Sequence, residues 1–236
     1  MRGGSAPVLT IEPGVVVKAA AGQVISAGDG TAGTLNAIGT AERPILFTTT
    51  GTPVAGAWQG IYLGNGAGGS RLEHAVVEGG GRDYKAGIRV AESSPVLRNV
   101  TVRTTYHRGI HVAAGGAPRI TDSTVTATTG ADRTGIHVSA GGRLEITDTL
   151  IQGSVNGAIT VEPRAELAGL TGLSLTDNGQ NGVRHRGGEL GTSETWKSFG
   201  YPYYLIDSGV YVRGGSSPVL TIEPGGVVRA AAGQVI

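Results

Sequence analysis

Residues 109–112 read Gly-Ile-His-Val, and this short pattern decides the fold because it recurs along the chain. Its other copies are Gly60-Ile61-Tyr62-Leu63, Gly87-Ile88-Arg89-Val90 and Gly135-Ile136-His137-Val138. The starts of the four copies lie 27, 22 and 26 residues apart. A repeat of this length is typical of solenoids, in which each period forms one structural unit. The pattern therefore predicts a repeat protein.

A second set of segments lies between these copies and shares their period. Its members begin at Leu72, Leu97, Ile120 and Ile146, and each combines β-branched residues with a polar residue two positions after its start. Alternating apolar residues and frequent glycines favour short strands, whereas no helical spacing of apolar residues occurs. The period is too short for a four-stranded propeller blade. We therefore predict an all-β fold, a single-stranded parallel β-helix with coils of 22–27 residues.

Stacking of such coils predicts which side chains form the core. In each Gly-Ile-x-Val segment the second and fourth residues should point inward and the third outward, because side chains alternate along a strand. The polar column should lie at a turn, where its side chains bond to the backbone. Its members are His74, Asn99, Asp122 and Asp148.

The two ends of the chain are nearly identical. Residues 2–25 and 213–236 agree at 21 of 24 positions, an offset of 211 residues. The sequence therefore divides into a β-helix unit (1–191), an irregular junction (192–212) and the first coil of a second unit (213–236). A unit of 211 residues holds about nine coils. An alternative is that the duplication was added to cap the end of the solenoid, since solenoid ends need capping.

Composition excludes several classes of protein. With 19 Lys and Arg against 18 Asp and Glu, the chain has no excess positive charge to attract nucleic acid. Cysteine is absent, which excludes disulfides and thiolate metal sites. No apolar run is long enough for a membrane span. The motifs of serine hydrolases, P-loop proteins and zinc proteases are also missing.

Residues 9–18, Leu-Thr-Ile-Glu-Pro-Gly-Val-Val-Val-Lys, resemble the opening coil of the bacterial right-handed parallel β-helix repeat family. Residues 39–48, the Trp58-Gln59-Gly60-Ile61 turn and the segment 195–204 resemble further parts of that family. The resemblance implies a right-handed helix, export and a role at the cell surface or wall. Some relatives act on polysaccharides.

One face of the predicted helix carries candidate binding chemistry. Its outward column is Tyr62, Arg89, His111 and His137, and the loops before two of these strands add His107, Arg108, Asp132 and Arg133. Neighbouring His111 and His137 would each disfavour protonation of the other, and Arg89 would act in the same direction. The imidazoles could then serve as bases while the arginines bind a carboxylated or sulfated sugar. A solvated face that repeats because coils were duplicated explains the same column.

Metal chemistry has weaker support. Asp132 is the one carboxylate of that cluster, and the spaced acidic ligands of a calcium loop are missing around Asp29 and in the loop 177–182. Turn chemistry explains both segments, so we assign no metal and no cofactor and keep calcium at these two segments as the alternative.

We therefore expect a structural or adhesive unit of a long extracellular surface protein, whose partners are neighbouring copies of itself. Duplication of an entire scaffold favours length or multivalency over a single active site, and so favours a non-enzymatic role. The alternative is a module that binds or cleaves an acidic polysaccharide through Arg89, Arg108, His111 and His137.

Overall fold

The computed structural model describes residues 6–83 and 86–234, apart from the side chains of residues 127, 131 and 132. All regular elements in these ranges are β-strands. In chain order they are β1 (Val8–Ile11), β2 (Val16–Ala19), β3 (Val24–Ala27), β4 (Thr34–Ile38), β5 (Ile45–Thr49), β6 (Gly60–Leu63), β7 (Arg71–Glu78), β8 (Ala86–Val90), β9 (Val96–Val112), β10 (Arg119–Thr121), β11 (Thr124–Val138), β12 (Arg143–Thr147), β13 (Leu150–Gln152), β14 (Gly157–Val161), β15 (Glu166–Thr171), β16 (Ser174–Thr176), β17 (Val183–Leu190), β18 (Glu194–Trp196), β19 (Tyr203–Val212), β20 (Leu220–Ile222) and β21 (Val228–Arg229).

The strands pair in parallel and form three ladders that run along a solenoid of about nine coils. The first ladder contains β1, β4, β7, β9, β10, β12 and β15. The second contains β2, β5, β7, β9, β11, β13 and β16. The third contains β3, β6, β8, β9, β11, β14, β17, β19 and β21. The predicted parallel β-solenoid is confirmed, and its handedness stays a prediction of the resemblance.

The core consists of the predicted aliphatic columns. Ile88 pairs with Ile61 on one side and with Ile110 on the other, and Ile136 continues the column. These side chains are buried. Burial of apolar area is the main source of stability here, at about 25 cal/mol per Å², and each coil buries its column only against its neighbours.

The polar column forms the turn between the first and second ladders. His74, Asn99, Asp122 and Asp148 have φ angles of 45°, 52°, 51° and 46°. Asn and Asp tolerate this left-handed region better than most residues. The column is therefore part of the scaffold, as the sequence predicted.

Candidate functional site

The outward column of the third ladder brings the predicted site residues onto neighbouring coils. Arg89 pairs with Tyr62 and with His111, and His111 pairs with His137. The imidazole centroids of His111 and His137 lie 5.3 Å apart with their planes at 77°. The Arg89 guanidinium carbon lies 5.7 Å from the centroid of the Tyr62 ring.

The two imidazoles are buried, although their positions alternate away from the core. His111 is 8% exposed and His137 is 2% exposed. The residues before them, which were expected to form loops, instead belong to long strands. His107 and Arg108 lie in β9, and Arg133 lies in β11 within the shift in register between Thr129 and Thr134.

The flanking residues have distinct surroundings. The ring of His107 meets that of Tyr106 edge to face, with centroids 4.2 Å apart. Arg133 is exposed, and its Nε donates to Gly130 O. The side chain of Asp132 lies outside the described residues.

Hydrogen bonds fix the tautomer of His111. Arg108 Nη1 lies 3.3 Å from His111 Nδ1, and because a guanidinium only donates, Nδ1 is the acceptor. The proton of the neutral ring is then on Nε2, which donates to Ser139 Oγ at 3.0 Å. Burial, followed by the positive charge of Arg108, lowers the pKa of His111 to about 2. His111 is therefore neutral.

His137 is held by a carboxylate. Its Nε2 donates to Glu162 Oε1 at 3.1 Å, and Glu162 Oε2 accepts from Ala140 N at 3.1 Å. Burial and Arg108 lower the pKa of His137 to about 4, although Glu162 acts against this shift. Burial would raise the pKa of Glu162, but the Ala140 N–H and His137 outweigh it and lower that pKa.

An imidazole bonded to a carboxylate is an arrangement used for general-base catalysis. Here both rings are buried, so a polymer could reach them only if neighbouring side chains moved away. The contacts with Ser139 and Glu162 instead link successive coils. Sequence reasoning missed these partners, although both occupy the same position in the repeat. Ser139 directly follows Val138, and Glu162 directly follows Val161.

A second cluster lies at the predicted junction. His185 follows Val161 in an inward column of the third ladder and precedes Leu205, so an imidazole stands in the core. Its ring lies 4.7 Å from Trp196, which stacks on Tyr203 at 5.0 Å. The sequence feature that could have revealed this buried histidine is the segment Gly182-Val183-Arg184-His185. It repeats the Gly-Ile-x-Val pattern with His185 at the inward fourth position.

A crevice of about 590 Å³ opens beside this cluster, between β15 and β18. Among the described pairings, β15 has β12 as its one partner and β18 has β20, so the first ladder is interrupted here. Two side chains bridge the gap. Lys197 Nζ donates to Ala168 O at 2.8 Å, and Glu194 Oε1 accepts from Arg164 N at 2.7 Å.

The chain continues through the junction as strands. Residues 192–212, which we expected to be irregular, contain β18 and β19. The second copy of the opening coil contributes β20, which pairs with β18, and β21, which pairs with β19. Its residues 235 and 236 lie outside the described part.

Two kinds of feature, a membrane-spanning helix and a metal-binding cluster, are absent from the described residues. No helix in ranges 6–83 and 86–234 is long and apolar enough to cross a membrane. Nor do the side chains described there include three His, Asp or Glu placed to hold one metal ion.

Comparisons of the chain with protein-family models, with curated proteins and with solved structures find no match.

Proposed function

We propose that the chain is a structural unit of a tandem array, which builds a long extracellular rod by stacking units end to end. One observation carries the proposal. The second copy of the opening coil is joined to the preceding unit by the same parallel pairing that joins coils within the unit.

Backbone hydrogen bonds join the two units on two faces. Glu194 N donates to Val219 O at 3.0 Å, and Glu223 N donates to Trp196 O at 3.0 Å. On the third ladder, Tyr203 N donates to Val227 O at 2.8 Å. A joint with bonds on two faces resists bending in more directions than a flexible linker would.

Side chains support the same joint. Glu223 Oε2 accepts from Ser198 N at 3.0 Å, and Arg213 Nε donates to Glu189 Oε2 at 2.9 Å. The apolar core also continues, because Leu220 and Val228 pack against the core that contains Trp196. These contacts favour a continuous rod over separate beads.

Electron microscopy of a tandem of two units tests this proposal. Nine coils spaced by about 4.8 Å give a unit length of about 43 Å, so two units should form a straight rod of about twice that length. A matched tandem with Trp196→Asp in its first unit should bend at the joint, because a carboxylate would enter the core there. Two rods joined at variable angles in the unmodified tandem would refute the proposal.

A second candidate function is binding of an acidic polysaccharide along the third ladder. The observation that favours it is a pair of Arg–Tyr contacts on one outward column. Arg89 lies over Tyr62, and Arg229 lies over Tyr204 at 5.7 Å. Arginine binds carboxylate and sulfate groups in a bidentate manner. Arg89→Ala should weaken retention on heparin without lowering the melting temperature, and unchanged retention would exclude this face.

A further inference from the structure

We infer that β18 forms a seat for residues 7–12 of a second copy of the chain, and that residues 218–223 of the same chain fill this seat. The inference rests on the proposed function, and it adds a named docking surface, its occupant and a device that keeps the surface closed.

The backbone groups of residues 219–223 that bond to β18 show which groups an occupant of the seat must present. In β20, the groups that face β18 belong to alternate residues, since Val219 O accepts from Glu194 N and Glu223 N donates to Trp196 O. Thr221 lies between them with the same orientation, because backbone groups alternate sides along a strand.

The first copy presents the same groups without using them in its own ladder. Thr34 N donates to Pro7 O, so the polar groups of Pro7, Leu9 and Ile11 face β4. Those of Val8, Thr10 and Glu12 therefore face away from β4. These three residues are the equivalents of Val219, Thr221 and Glu223, at the offset of 211. Within the described residues, β4 is the one strand paired with β1.

Side-chain exposure agrees with this assignment. Leu9 is 53% exposed in β1, whereas its equivalent Leu220 is partly buried against the core. Docking of a second copy would bury Leu9 in the same way. An open ladder edge with apolar residues is a template for pairing with another chain.

The three differences between the copies leave the docking groups intact. They are Ala6 for Ser217, Val15 for Gly226 and Lys18 for Arg229. All three lie outside residues 7–12 and their equivalents 218–223. The seat therefore fits either copy.

Tethering decides which copy occupies the seat. A segment joined to its site has an effective concentration of about 1 mM, so it excludes a free competitor at micromolar concentration. The 236-residue chain should then be a monomer in which residues 218–223, the plug, occupy the seat.

The experiment weakens the binding of residues 218–223 to the seat and leaves residues 7–12 unchanged. Leu220→Asp with Thr221→Pro puts a carboxylate against the core and removes the donor that faces β18. We expect this variant to associate head to tail, so that its mass in analytical ultracentrifugation rises above the monomer mass with protein concentration.

The duplication supplies a matched control. Leu9→Asp with Thr10→Pro makes the same two changes in the first copy, where Leu9 is exposed and the Thr10 N–H faces the open edge, a place where proline is tolerated. This control should be monomeric. All four changes together should abolish association, because neither copy can then fill the seat.

A mixing experiment checks polarity. The unmodified chain can dock through its first copy, but its own seat is filled. Adding it to the Leu220→Asp/Thr221→Pro variant should therefore stop the assemblies from growing and lower their mean mass. The Leu9→Asp/Thr10→Pro control should leave that mass unchanged.

Three outcomes would overturn the inference. One is a plug variant that stays folded and monomeric up to millimolar concentration. Another is association that survives all four changes. The third is loss of the β-sheet circular dichroism signal in the plug variant, since a seat that melts without its plug cannot receive a second copy. If the tandem of two units is nevertheless a straight rod, the proposed function stands and only the seat is refuted.

Discussion

Val17 and Val228 are equivalent residues of the two copies of the opening coil, but they lie on different faces of the solenoid. Val17 pairs with Phe47 in the second ladder, whereas Val228 pairs with Tyr203 in the third. The first strands of the two copies, β1 and β20, both lie on the first face, since β20 pairs with β18 and side chains bridge β18 to β15 there. The two copies therefore share the face of their first strand and differ in the face of their second.

Distance measurements between spin labels test this placement of the second strand. The chain has no cysteine, so two engineered cysteines give one label pair. Arg229 lies on the same outward column as Ser26, whereas Lys18 lies on the second ladder of the same coil. The 26/229 pair should give the shorter distance, about 38 Å for eight coil steps. A shorter distance for the 18/229 pair would place both copies on one face.

Stability should fall on mild acidification because two imidazoles are buried in the neutral state. Their pKa values, about 2 for His111 and about 4 for His137, lie below the ordinary value of 6.5. The unfolded chain therefore binds more protons, and stability is lost as the pH falls below 6.5. The loss is about 1.4 kcal/mol per pH unit for each imidazole. Between pH 7.5 and 5 we expect about 4 kcal/mol in total.

Urea unfolding of His111→Gln at both pH values checks this prediction. The pH-dependent loss should drop to about 2 kcal/mol, whatever the substitution does to stability at pH 7.5. His74→Asn is the control, since this residue lies at a turn where asparagine fits. An unchanged pH dependence in His111→Gln would show that this imidazole is not the group that titrates.

Glu73 should contribute more to stability than the otherwise similar Glu145. Arg71 Nε and Arg98 Nε donate to Glu73 at 2.8 and 3.0 Å, and this side chain is 4% exposed. Glu145 bonds to Arg119, but it is 27% exposed. Glu73→Gln should cost about 2 kcal/mol, because charged hydrogen bonds to a buried acceptor are lost. Glu145→Gln should cost about 0.5 kcal/mol.

Thermal unfolding in 1 M NaCl separates the two cases further. Salt screens exposed pairs more than buried ones. The difference between Glu145→Gln and the unmodified chain should vanish, while that of Glu73→Gln persists. Equal costs for both substitutions would contradict the burial argument.

Gly109 should not tolerate a side chain. A Cβ there would lie 2.3 Å from Val125 Cγ1 and 2.7 Å from Gly135 O, both in the next coil. Overpacking of this kind costs about 3 kcal/mol, so Gly109→Ala should lower the melting temperature by about 9 °C. Gly51→Ala is the control, because nothing lies within 4 Å of a Cβ there. A Gly109→Ala melting temperature within 2 °C or so of the control would refute this packing.

The sequence was sufficient for the repetitive part of the fold. Pairs such as Leu72 with Leu97 lie in the predicted register, because one column per face is buried and a slip of one residue would turn it outward. The same reasoning placed His111 beside His137. It could not reveal that both rings are buried, since that depends on the side chains of Arg108, Ser139 and Glu162 that contact them.

The junction was beyond sequence reasoning for a different reason. Residues 16–19 and 227–230 differ only at Lys18 and Arg229, yet β2 pairs in the second ladder and β21 in the third. Local preference cannot distinguish them. The difference comes from the strands beneath, where β16 ends the second ladder and β19 extends the third.

The gap between β15 and β18 has a mechanical consequence. Elsewhere on that face each coil is joined to the next by a backbone ladder, but here Lys197 with Ala168 and Glu194 with Arg164 bridge the coils through side chains. A filament of such units under tension would yield first at these points, one in every 211 residues. The coils between them would stay closed, so the load would be relieved in steps of fixed length.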